Sequence, residues 1–481
     1  MIQFDVAIIG GGVAGYTAGL RCLEAGLKTV LVSQGQSAMH FSSGSIDLLG
    51  QTPDHQAVQF PLNAIRQFPQ NFPLHPYAKL GAAKVENALN WYQHKLTQLG
   101  LPLHQQANGE NHFRITPMGT LKATWMSQPF VHQVTTQASS LAFKKIMMVS
   151  IEGFRDFQPQ IAVDNLAKDP MFKGIEVSSL NVSINAFKTM ERNPHELRSI
   201  DLSRVLKDES EFNAFADQLM THASQDDLVV LPAILGNGDG LALMTKLKAR
   251  TGLNFHEVPT MPPSLLGIRV EETMSQAFIR LGGTLLKGDY AIGGEINETE
   301  NGTELSILNT KNLSDLPLKA EHYILASGSF FSKGLIAGHQ EISEPVFNLD
   351  VCHAGLRETW REHDFFTDKR HLFMSFGVET DQHFRPSIAG KTLNNVYCAG
   401  AILAHYNPVV EGSGSGVAIS TAHSISEAII QSYDHSSITD NSSVTDNRSK
   451  TDNSFKTDEP AQYKSEQPSP QNEQTTDEVC L

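Results

Sequence analysis

The chain has 481 residues, of which 40% are apolar and 19% are charged, and its 37 Lys and Arg against 52 Asp and Glu give a net charge of −15. A chain of this length can bury a large core and predicts roughly two or three packed domains. The acidic balance, without a block of basic residues, argues against nucleic acid or an anionic lipid surface as the main partner.

The cysteines are too scattered along the chain to form a disulfide framework, a metal site or an iron–sulfur cluster. We therefore expect no metal centre, and a reducing cytosol as the compartment. The four positions are Cys22, Cys352, Cys398 and Cys480.

The N-terminal segment does not have the pattern of a signal peptide, since Asp5 lies where a basic segment followed by an apolar one is needed. The apolar stretch 6–20 is rich in glycine and shorter than a membrane span. We expect no membrane-spanning segment, so any membrane association has to come through another protein.

The body of the chain alternates β-branched apolar runs with helical segments, which is typical of an α/β protein with a parallel sheet. Buried strands are predicted at 4–10, 28–33, 145–151, 227–235, 322–328 and 395–400.

The first strand leads into the most informative motif, FDVAIIGGGVAG, in which Gly10, Gly12 and Gly15 have the G-x-G-x-x-G spacing. In this motif the first glycine permits a tight turn, the second lets the backbone approach a phosphate, and the third lets helix and strand pack closely. A helix to about Ala25, ended by Gly26, follows the turn. The phosphate is then expected at the N-terminus of this helix.

One residue expected in a dinucleotide site is missing. Such sites carry Asp or Glu at the end of the second strand, where it binds the adenosine ribose, but here the strand ends at Ser33 and no acid occurs between Glu24 and Asp47. Either Ser33 makes a weaker ribose contact, or the site holds a mononucleotide. Both FMN and FAD therefore remain open.

Two later segments favour flavin over nicotinamide. HYILASGSF (322–330) resembles the second fingerprint of the glutathione-reductase-like flavoproteins, with Gly328 at the turn beside the cofactor. The segment 395–429 resembles the last flavin motif of that fold, with a strand ending at Gly400 and a helix opening at EGSGSG. The cofactor-binding glycines predicted there are Gly400, Gly412, Gly414 and Gly416. Ala401 departs from the family pattern, which often has Asp at this position to bind the ribityl chain.

Six further segments together resemble the B subunit of anaerobic glycerol-3-phosphate dehydrogenase, in a consistent order over roughly residues 1–430. They are QSAMHFSSGSIDLLG (36–50), HPYAKLG (75–81), PMGTLKATW (117–125), PPSLLGIR (262–269), ASGSFFSKGL (326–335) and FRPS (384–387).

The resemblance implies a flavoprotein that oxidises sn-glycerol 3-phosphate to dihydroxyacetone phosphate and passes electrons to quinone, with fumarate or nitrate as terminal acceptor. It implies FMN as the cofactor, with FAD as the alternative. It also implies two partners: a flavin-containing catalytic A subunit, and an iron–sulfur C subunit that holds the cytoplasmic complex at the inner face of the membrane.

The resulting domain prediction is a Rossmann-like flavin-binding domain split between 1–52 and 271–433, with an inserted substrate or partner domain at 53–270. The remaining segment, 434–481, is poor in apolar residues and repeats Thr-Asp every six positions. Its ten acidic and four basic residues contribute −6 to the net charge and leave −9 for the body. We predict that this tail is disordered and of low complexity.

The HFSSGS segment supplies candidate flavin contacts, since Ser42, Ser43, Gly44 and Ser45 can bond the ring edge and the ribityl chain. The alternative is an ordinary Ser/Gly turn after the second strand. His40 has three possible roles, as a general base, as a covalent flavin attachment point or as a packed histidine.

Two arginines are candidates for binding the substrate phosphate. Arg269 follows an apolar run and Arg385 lies in FRPS, and a guanidinium binds such anions bidentately. Each is alternatively a structural ion pair. His353, His371 and His405 are further candidate bases.

A different class of function stays open beside catalysis. The departures at Ser33 and Ala401 are compatible with a flavin-binding electron-transfer or structural subunit whose partner carries out the chemistry. A third possibility is a stand-alone flavin oxidoreductase with another substrate.

Overall fold

The computed structural model describes residues 2–136, 141–189, 196–300, 302–365, 367 and 369–444. Residues 1–432 belong to one compact unit, which holds the two main sheets, and the second unit begins at residue 433.

The strands alternate with helices along the chain, as the sequence pattern predicted. The strands are β1 (Ile2–Ile9), β2 (Thr29–Ser33), β3 (His112–Ile115), β4 (Leu121–Thr124), β5 (Lys145–Ile151), β6 (Glu176–Val182), β7 (Asp227–Pro232), β8 (Asn254–Val258), β9 (Thr284–Lys287), β10 (Ala291–Thr299), β11 (Gly302–Thr310), β12 (Leu318–Leu325), β13 (Ile336–Ala337), β14 (Ile342–Ser343), β15 (Val351–Cys352), β16 (Gly377–Val378), β17 (Ser387–Ile388), β18 (Lys391–Thr392) and β19 (Val396–Cys398). The helices are α1 (Val13–Glu24), α2 (Pro61–Ile65), α3 (Phe68–Asn71), α4 (Pro76–Leu80), α5 (Ala82–Gln98), α6 (Pro159–Leu166), α7 (Asn185–Thr189), α8 (Ser199–Val205), α9 (Glu209–His222), α10 (Gly240–Thr251), α11 (Leu265–Arg280) and α12 (Gly414–Val444).

The first sheet has a parallel centre in the order β19, β12, β1, β2, β9. Ile9 lies between Leu325 on one side and Val32 on the other, and Cys398 continues the row beyond Leu325. β2 is buried along its whole length, as expected of an apolar strand covered on both faces. The parallel strands therefore end side by side at one edge.

A long antiparallel hairpin extends this sheet. β10 and β11 pair with each other. Leu308 of β11 also pairs with Leu318, the first residue of β12. The alternation of polar and apolar residues in these strands suits a sheet with one solvated face.

The second sheet is a separate parallel sheet in the order β6, β5, β7, β8. Its central strands are buried, with Met148, Val149, Val229 and Val230 fully inaccessible to solvent. After β8 the chain enters α11 and then returns to the first sheet through β9, so α11 connects the two sheets.

The structure confirms the predicted α/β flavin-binding fold class and each of the six predicted strands, which are β1, β2, β5, β7, β12 and β19. The domain boundaries at 53, 270 and 433 stay a prediction. We predicted a disordered tail at 434–481, and its residues from 445 onward lie outside those that the structure describes. The start of that segment instead continues α12 as far as Val444, because a helix already begun at Gly414 needs only local bonds to continue.

Membrane-spanning helices were not expected. Among the residues that the structure describes, none of the helices is both long and apolar enough to cross a membrane.

Two buried histidines make the stability of the fold depend on pH. Burial lowers the pKa of His256 to about 3 and that of His112 to about 4. His256 is fully enclosed, and its Nδ1 accepts a bond from the His132 amide at 3.1 Å while Nε2 lies 3.1 Å from the Ile115 carbonyl. Both histidines are therefore neutral in the folded protein near neutral pH.

We expect the free energy of unfolding to fall as the pH is lowered below about 6.5, because the unfolded imidazoles then bind protons that the folded ones refuse. Between about pH 6.5 and pH 5 the loss is roughly 2 kcal/mol for each histidine. Urea unfolding of His256→Gln is expected to show a shallower pH dependence, whereas the exposed control His222→Gln keeps the slope of the native protein. An unchanged slope in His256→Gln contradicts this account.

Candidate functional site

The candidate site lies at the edge where the parallel strands of the first sheet end. Backbone bonds hold the turns together: Gly10 N–H donates to Val32 at 2.9 Å, Ala326 N–H to Ile9 at 2.8 Å, and Ala399 N–H to Leu325 at 3.0 Å. Of the predicted residues, Ser33 ends β2 and Gly10 directly follows β1, while Gly400 and Gly328 lie two and three residues beyond the ends of β19 and β12. Ligands of open α/β sheets bind outside this edge.

The glycine turn has the geometry that the motif predicts. Gly10 has a φ of 118°, and a Cβ there would lie 2.1 Å from the Ala326 carbonyl oxygen. A Cβ on Gly15 would lie 1.8 Å from the Gly10 carbonyl oxygen, so the helix can pack on the turn only through glycine. A Cβ on Gly12 would meet nothing within 4 Å. Gly12 is also the N-cap of α1 and offers no side-chain acceptor to the first N–H groups, which leaves them available to an anion.

The end of β2 carries no acid that can bind a ribose. Ser33 Oγ donates to the carbonyl oxygen of Gly35 at 3.2 Å, within its own turn. Across the ladder Ser33 pairs with Lys287 of β9. The structure therefore places a hydroxyl, and no carboxylate, at the end of β2, where dinucleotide sites have an acid.

The HFSSGS segment packs against the start of α11, so two motifs more than 200 residues apart in the sequence are in contact. The Ser264 amide donates to the His40 carbonyl at 2.8 Å, and a Cβ on Gly267 would lie 1.7 Å from the Met39 carbonyl oxygen. The Gln128 amide group donates to the carbonyls of both Gly44 (3.1 Å) and Leu266 (2.8 Å). This close fit fixes the segment beside the strand ends.

The hydroxyls of this segment form local turns. Ser42 Oγ accepts from the Gly44 amide at 3.1 Å and Ser43 Oγ from the Ser45 amide at 3.4 Å. Both serines therefore form local turns, and each hydroxyl can still donate its proton to a ligand, so the two interpretations of this segment both stay open.

Several buried polar atoms in these motif segments have no hydrogen-bond partner among the described residues. They include Ser45 Oγ, Ser327 Oγ, Tyr406 Oη and His40 Nδ1, and also Trp125 Nε1, Ser264 Oγ and Ser420 Oγ; others, such as Gln105 Oε1 and Asn237 Oδ1, lie outside the motifs. Buried polar groups of folded proteins are almost always paired, so an unpaired one is available to bond a ligand. Together with the open space at Gly12, they fit a bound polar cofactor such as a flavin.

His40 forms a buried pair with Glu271 of α11. Its Nε2 lies 3.0 Å from Glu271 Oε2, which also accepts the hydroxyl of Ser37 at 2.8 Å, and Lys287 Nζ lies 3.9 Å from the other carboxylate oxygen. A proton on Nε2 leaves Nδ1 as a lone pair, and that atom is the unpartnered one. The ring is therefore packed against Glu271 through Nε2, and its Nδ1 is unpartnered among the described residues.

The last motif is tied to the HFSSGSID segment by Asp47. The Asp47 amide donates to Ser415 Oγ at 2.8 Å and its carbonyl accepts from the Gly416 amide at 3.0 Å. Its carboxylate accepts the hydroxyl of Thr124 at 3.0 Å and lies 3.1 Å from Lys122 Nζ, and both of these residues belong to PMGTLKATW.

The HPYAKLG segment supports the loop before α12 from the other side. His75 Nε2 lies 3.0 Å from Glu411 Oε2 in a fully buried pair, and the same carboxylate accepts the Ser413 hydroxyl at 2.9 Å. Tyr77 donates to the Leu48 carbonyl at 2.7 Å, and a Cβ on Gly416 would lie 2.2 Å from its hydroxyl oxygen. Burial raises the pKa of Tyr77 well above its ordinary value.

Arg269 is enclosed in the interior of the fold. Its Nη1 donates to Glu257 at 2.6 Å and its Nε donates to the Gly236 carbonyl at 2.9 Å. The Arg269 side chain is 3% exposed and that of Glu257 is 0% exposed. Its guanidinium also stacks 3.8 Å above the Phe130 ring. This geometry is the structural ion pair that the sequence left open as the alternative, because every face of the guanidinium is already in contact with protein.

Arg385 is accessible, with a side chain 32% exposed and one bond from Nε to Asp381 at 2.8 Å. The further candidate bases are all engaged. His353 Nδ1 lies 3.0 Å from the Ala354 carbonyl, and His371 Nε2 lies 3.0 Å from that of Phe365. His405 Nε2 lies 2.9 Å from a carboxylate oxygen of Glu379, which directly follows β16.

Sequence reasoning missed Asp47, Glu271 and Gln128, which organise this region. Asp47 and Glu271 lie within or next to recognised motifs, so their charge was a usable signal. Gln128 lies between motifs, and only the fold shows that it bridges two of them.

Comparison with known families gives the class first. Residues 5–417 match the family described as FAD binding domain. Because the match covers most of the chain, the chain belongs to this family of flavin-binding oxidoreductases.

Comparison with individual proteins gives the narrower family. The chain is 52% identical over 422 residues to the B subunit of anaerobic glycerol-3-phosphate dehydrogenase from Vibrio vulnificus, covering 88% of this chain and 95% of that protein. It is 52% identical to the Vibrio cholerae protein of the same name (90% and 98% covered) and 48% identical to that of Aliivibrio fischeri (89% and 96% covered). The chain belongs to the family of anaerobic glycerol-3-phosphate dehydrogenase B subunits, as the sequence motifs predicted.

The glycine turn can be tested by a pair of substitutions. Gly12→Ala places a methyl group in open space at an ordinary backbone conformation, so we expect nearly unchanged stability but at least a tenfold loss of flavin affinity, about 1.4 kcal/mol or more. Gly15→Ala forces a backbone overlap and is expected to destabilise the fold itself. Fluorescence titration with flavin and thermal unfolding measure the two effects. Full flavin binding by Gly12→Ala contradicts this placement of the phosphate.

Proposed function

We propose that this chain acts as the B subunit of an anaerobic glycerol-3-phosphate dehydrogenase and oxidises sn-glycerol 3-phosphate to dihydroxyacetone phosphate. The observation that carries the proposal is that the family's motifs, far apart in the sequence, contact one another in the fold: HFSSGS packs against the start of α11, and Asp47 is bonded to the first turn of α12. Flavin, when bound, supplies the acceptor for the hydride of the secondary alcohol.

The residues of this chain supply binding and proton transfer. The N–H groups after Gly12 bind the cofactor phosphate, and Ser42, Ser43, Gly44 and Ser45 bond its polar edge. The hydroxyl proton of the substrate passes to Nδ1 of His40, while Glu271 holds the Nε2 proton at 3.0 Å and stabilises the imidazolium that results. Because the His40 and Glu271 side chains are only 13% and 6% exposed, the charge that the pair gains is only weakly screened by water.

Arg385 is the better of the two candidate ligands for the substrate phosphate. Only its Nε is used by Asp381, which leaves the terminal nitrogens for an anion. Arg269 would have to break a buried ion pair with Glu257, and an unpaired buried carboxylate is costly.

For the identity of the flavin we propose FMN, with FAD as the alternative. The hydroxyl of Ser33 and its neighbour Lys287 support the mononucleotide, since they provide no carboxylate for a ribose. The description of the matching family as an FAD binding domain favours the alternative.

Mass spectrometry of the native and the acid-treated protein decides between the two flavins. We expect FMN to be released by acid, with no flavin mass remaining on the polypeptide. Release of FAD corrects the cofactor, and flavin retained on the peptide that contains His40 shows covalent attachment.

The proposal includes partner proteins. Because the relatives are named as one subunit of a dehydrogenase, we infer a complex with a flavin-containing A subunit and an iron–sulfur C subunit that holds it at the inner face of the cytoplasmic membrane. Electrons then pass to quinone, with fumarate or nitrate as the final acceptor.

Anaerobic addition of glycerol 3-phosphate to the isolated flavin-loaded chain tests the catalytic role. We expect the visible flavin absorbance to bleach, and His40→Asn to retain flavin but bleach roughly a hundredfold more slowly or worse, because the base is lost. The exposed control His94→Asn is expected to bleach like the native chain.

The other outcomes separate the remaining functions. Flavin that never bleaches without the partner protein overturns catalysis by this chain and supports an electron relay. Bleaching by a different alcohol alone supports a stand-alone oxidoreductase. An equal rate in His40→Asn removes this residue from the chemistry while leaving the reaction in place.

A further inference from the structure

Three side chains of the kinds that bind transition metals meet at the antiparallel strand pair β15–β16 and the loop that follows β19. Their ligand atoms are Cys352 Sγ, a carboxylate oxygen of Glu379 and Nε2 of His405, and all lie within 4.8 Å of one another. His405 Nε2 lies 2.9 Å from each oxygen of Glu379. The sequence predicted no metal centre because its cysteines are not grouped, but the fold groups one of them with an imidazole and a carboxylate.

Backbone pairing fixes the positions of these residues. Cys352 of β15 lies opposite Gly377 of β16, and the Glu379 amide, directly after β16, donates to the Asp350 carbonyl at 3.0 Å. His405 is brought alongside because the Ala404 amide donates to the Val378 carbonyl at 3.2 Å. The three ligands therefore come from adjacent backbone segments in a sheet-like arrangement, which limits how far they can separate.

The His405 backbone is held in a left-handed conformation, with a φ of 69°. Its amide donates to the Ser375 carbonyl at 3.0 Å, which anchors the residue to the turn before β16. The ring consequently points at Glu379 from a fixed backbone.

We propose that Cys352, Glu379 and His405 bind one zinc ion. Thiolate, imidazole and carboxylate are the three ligand types of zinc sites in proteins. On binding, the Cys352 thiol releases its proton to solvent, the His405 ring binds through Nε2 with its proton on Nδ1, and Glu379 binds as an anion. Two anionic ligands and one neutral ligand balance the charge of a divalent ion.

Solvent can reach these side chains and supply a fourth ligand. The side chains of His405 and Glu379 are 20% and 42% exposed, so water can complete a tetrahedral site. The nearby ammonium group of Lys79 is bound to Thr380 through the carbonyl (2.8 Å) and the hydroxyl (3.0 Å), and both Glu379 oxygens stay directed at His405. Asp381, the next carboxylate, is bound to Arg385.

Zinc content of the purified, flavin-loaded full chain tests the site. After equilibration with zinc and dialysis, elemental analysis is expected to give about one ion per chain. Cys352→Ser and His405→Asn are each expected to weaken binding by at least tenfold, since each removes one ligand of the ion. Asn is chosen because it tolerates the left-handed backbone of residue 405.

Cobalt supplies a second readout that does not depend on stability. A thiolate-to-cobalt charge-transfer band is expected in the native chain and is expected to be absent from Cys352→Ser. The exposed control His383→Asn keeps both the band and the zinc, and unchanged flavin content in every variant shows that the fold is intact. Zinc uptake that is absent from the native chain, or equal in all variants, overturns the proposal without affecting the flavin assignment.

Discussion

Asp47 is the residue on which the arrangement of the flavin region most depends. Its backbone bonds the first turn of α12 through Ser415 and Gly416, while its carboxylate bonds Thr124 and pairs with Lys122. Three segments that are far apart in the sequence are thereby fixed to one residue. The carboxylate needs these partners, since a largely enclosed charge without them is unstable.

Other motif residues of this region also contact residues of a different motif. His75 and Glu411 form a buried pair beneath the loop before α12, and His40 and Glu271 form another between HFSSGS and α11. The residues of one motif are thus held in place by residues of another. The buried hydroxyls of Ser45, Ser327 and Tyr406 have no partner among the described residues, so each is available to a ligand.

The sequence was sufficient for those parts of the fold that depend on local pattern. The buried strands and the glycine turn were predicted because hydrophobic runs and turn residues act over a few positions. The β10–β11 hairpin was missed, since its alternating edge strands carry little hydrophobic signal. Arg269 was misleading for a different reason: an arginine after an apolar run looks available for ligands until Glu257, twelve residues earlier, is seen to face it. The grouping of Cys352 with His405 likewise depends on strand pairing that no spacing reveals.

Helix α11 contacts both the HFSSGS segment and the second sheet. Its first turn holds the Met39 and Gly44 backbone, and its Arg269 is locked to Glu257 at the end of the second sheet. The second sheet therefore supports the position of the HFSSGS segment through α11, whether or not it contacts the cofactor itself. A substitution that shifts β8 would therefore move Arg269 and, through α11, the backbone of the HFSSGS segment.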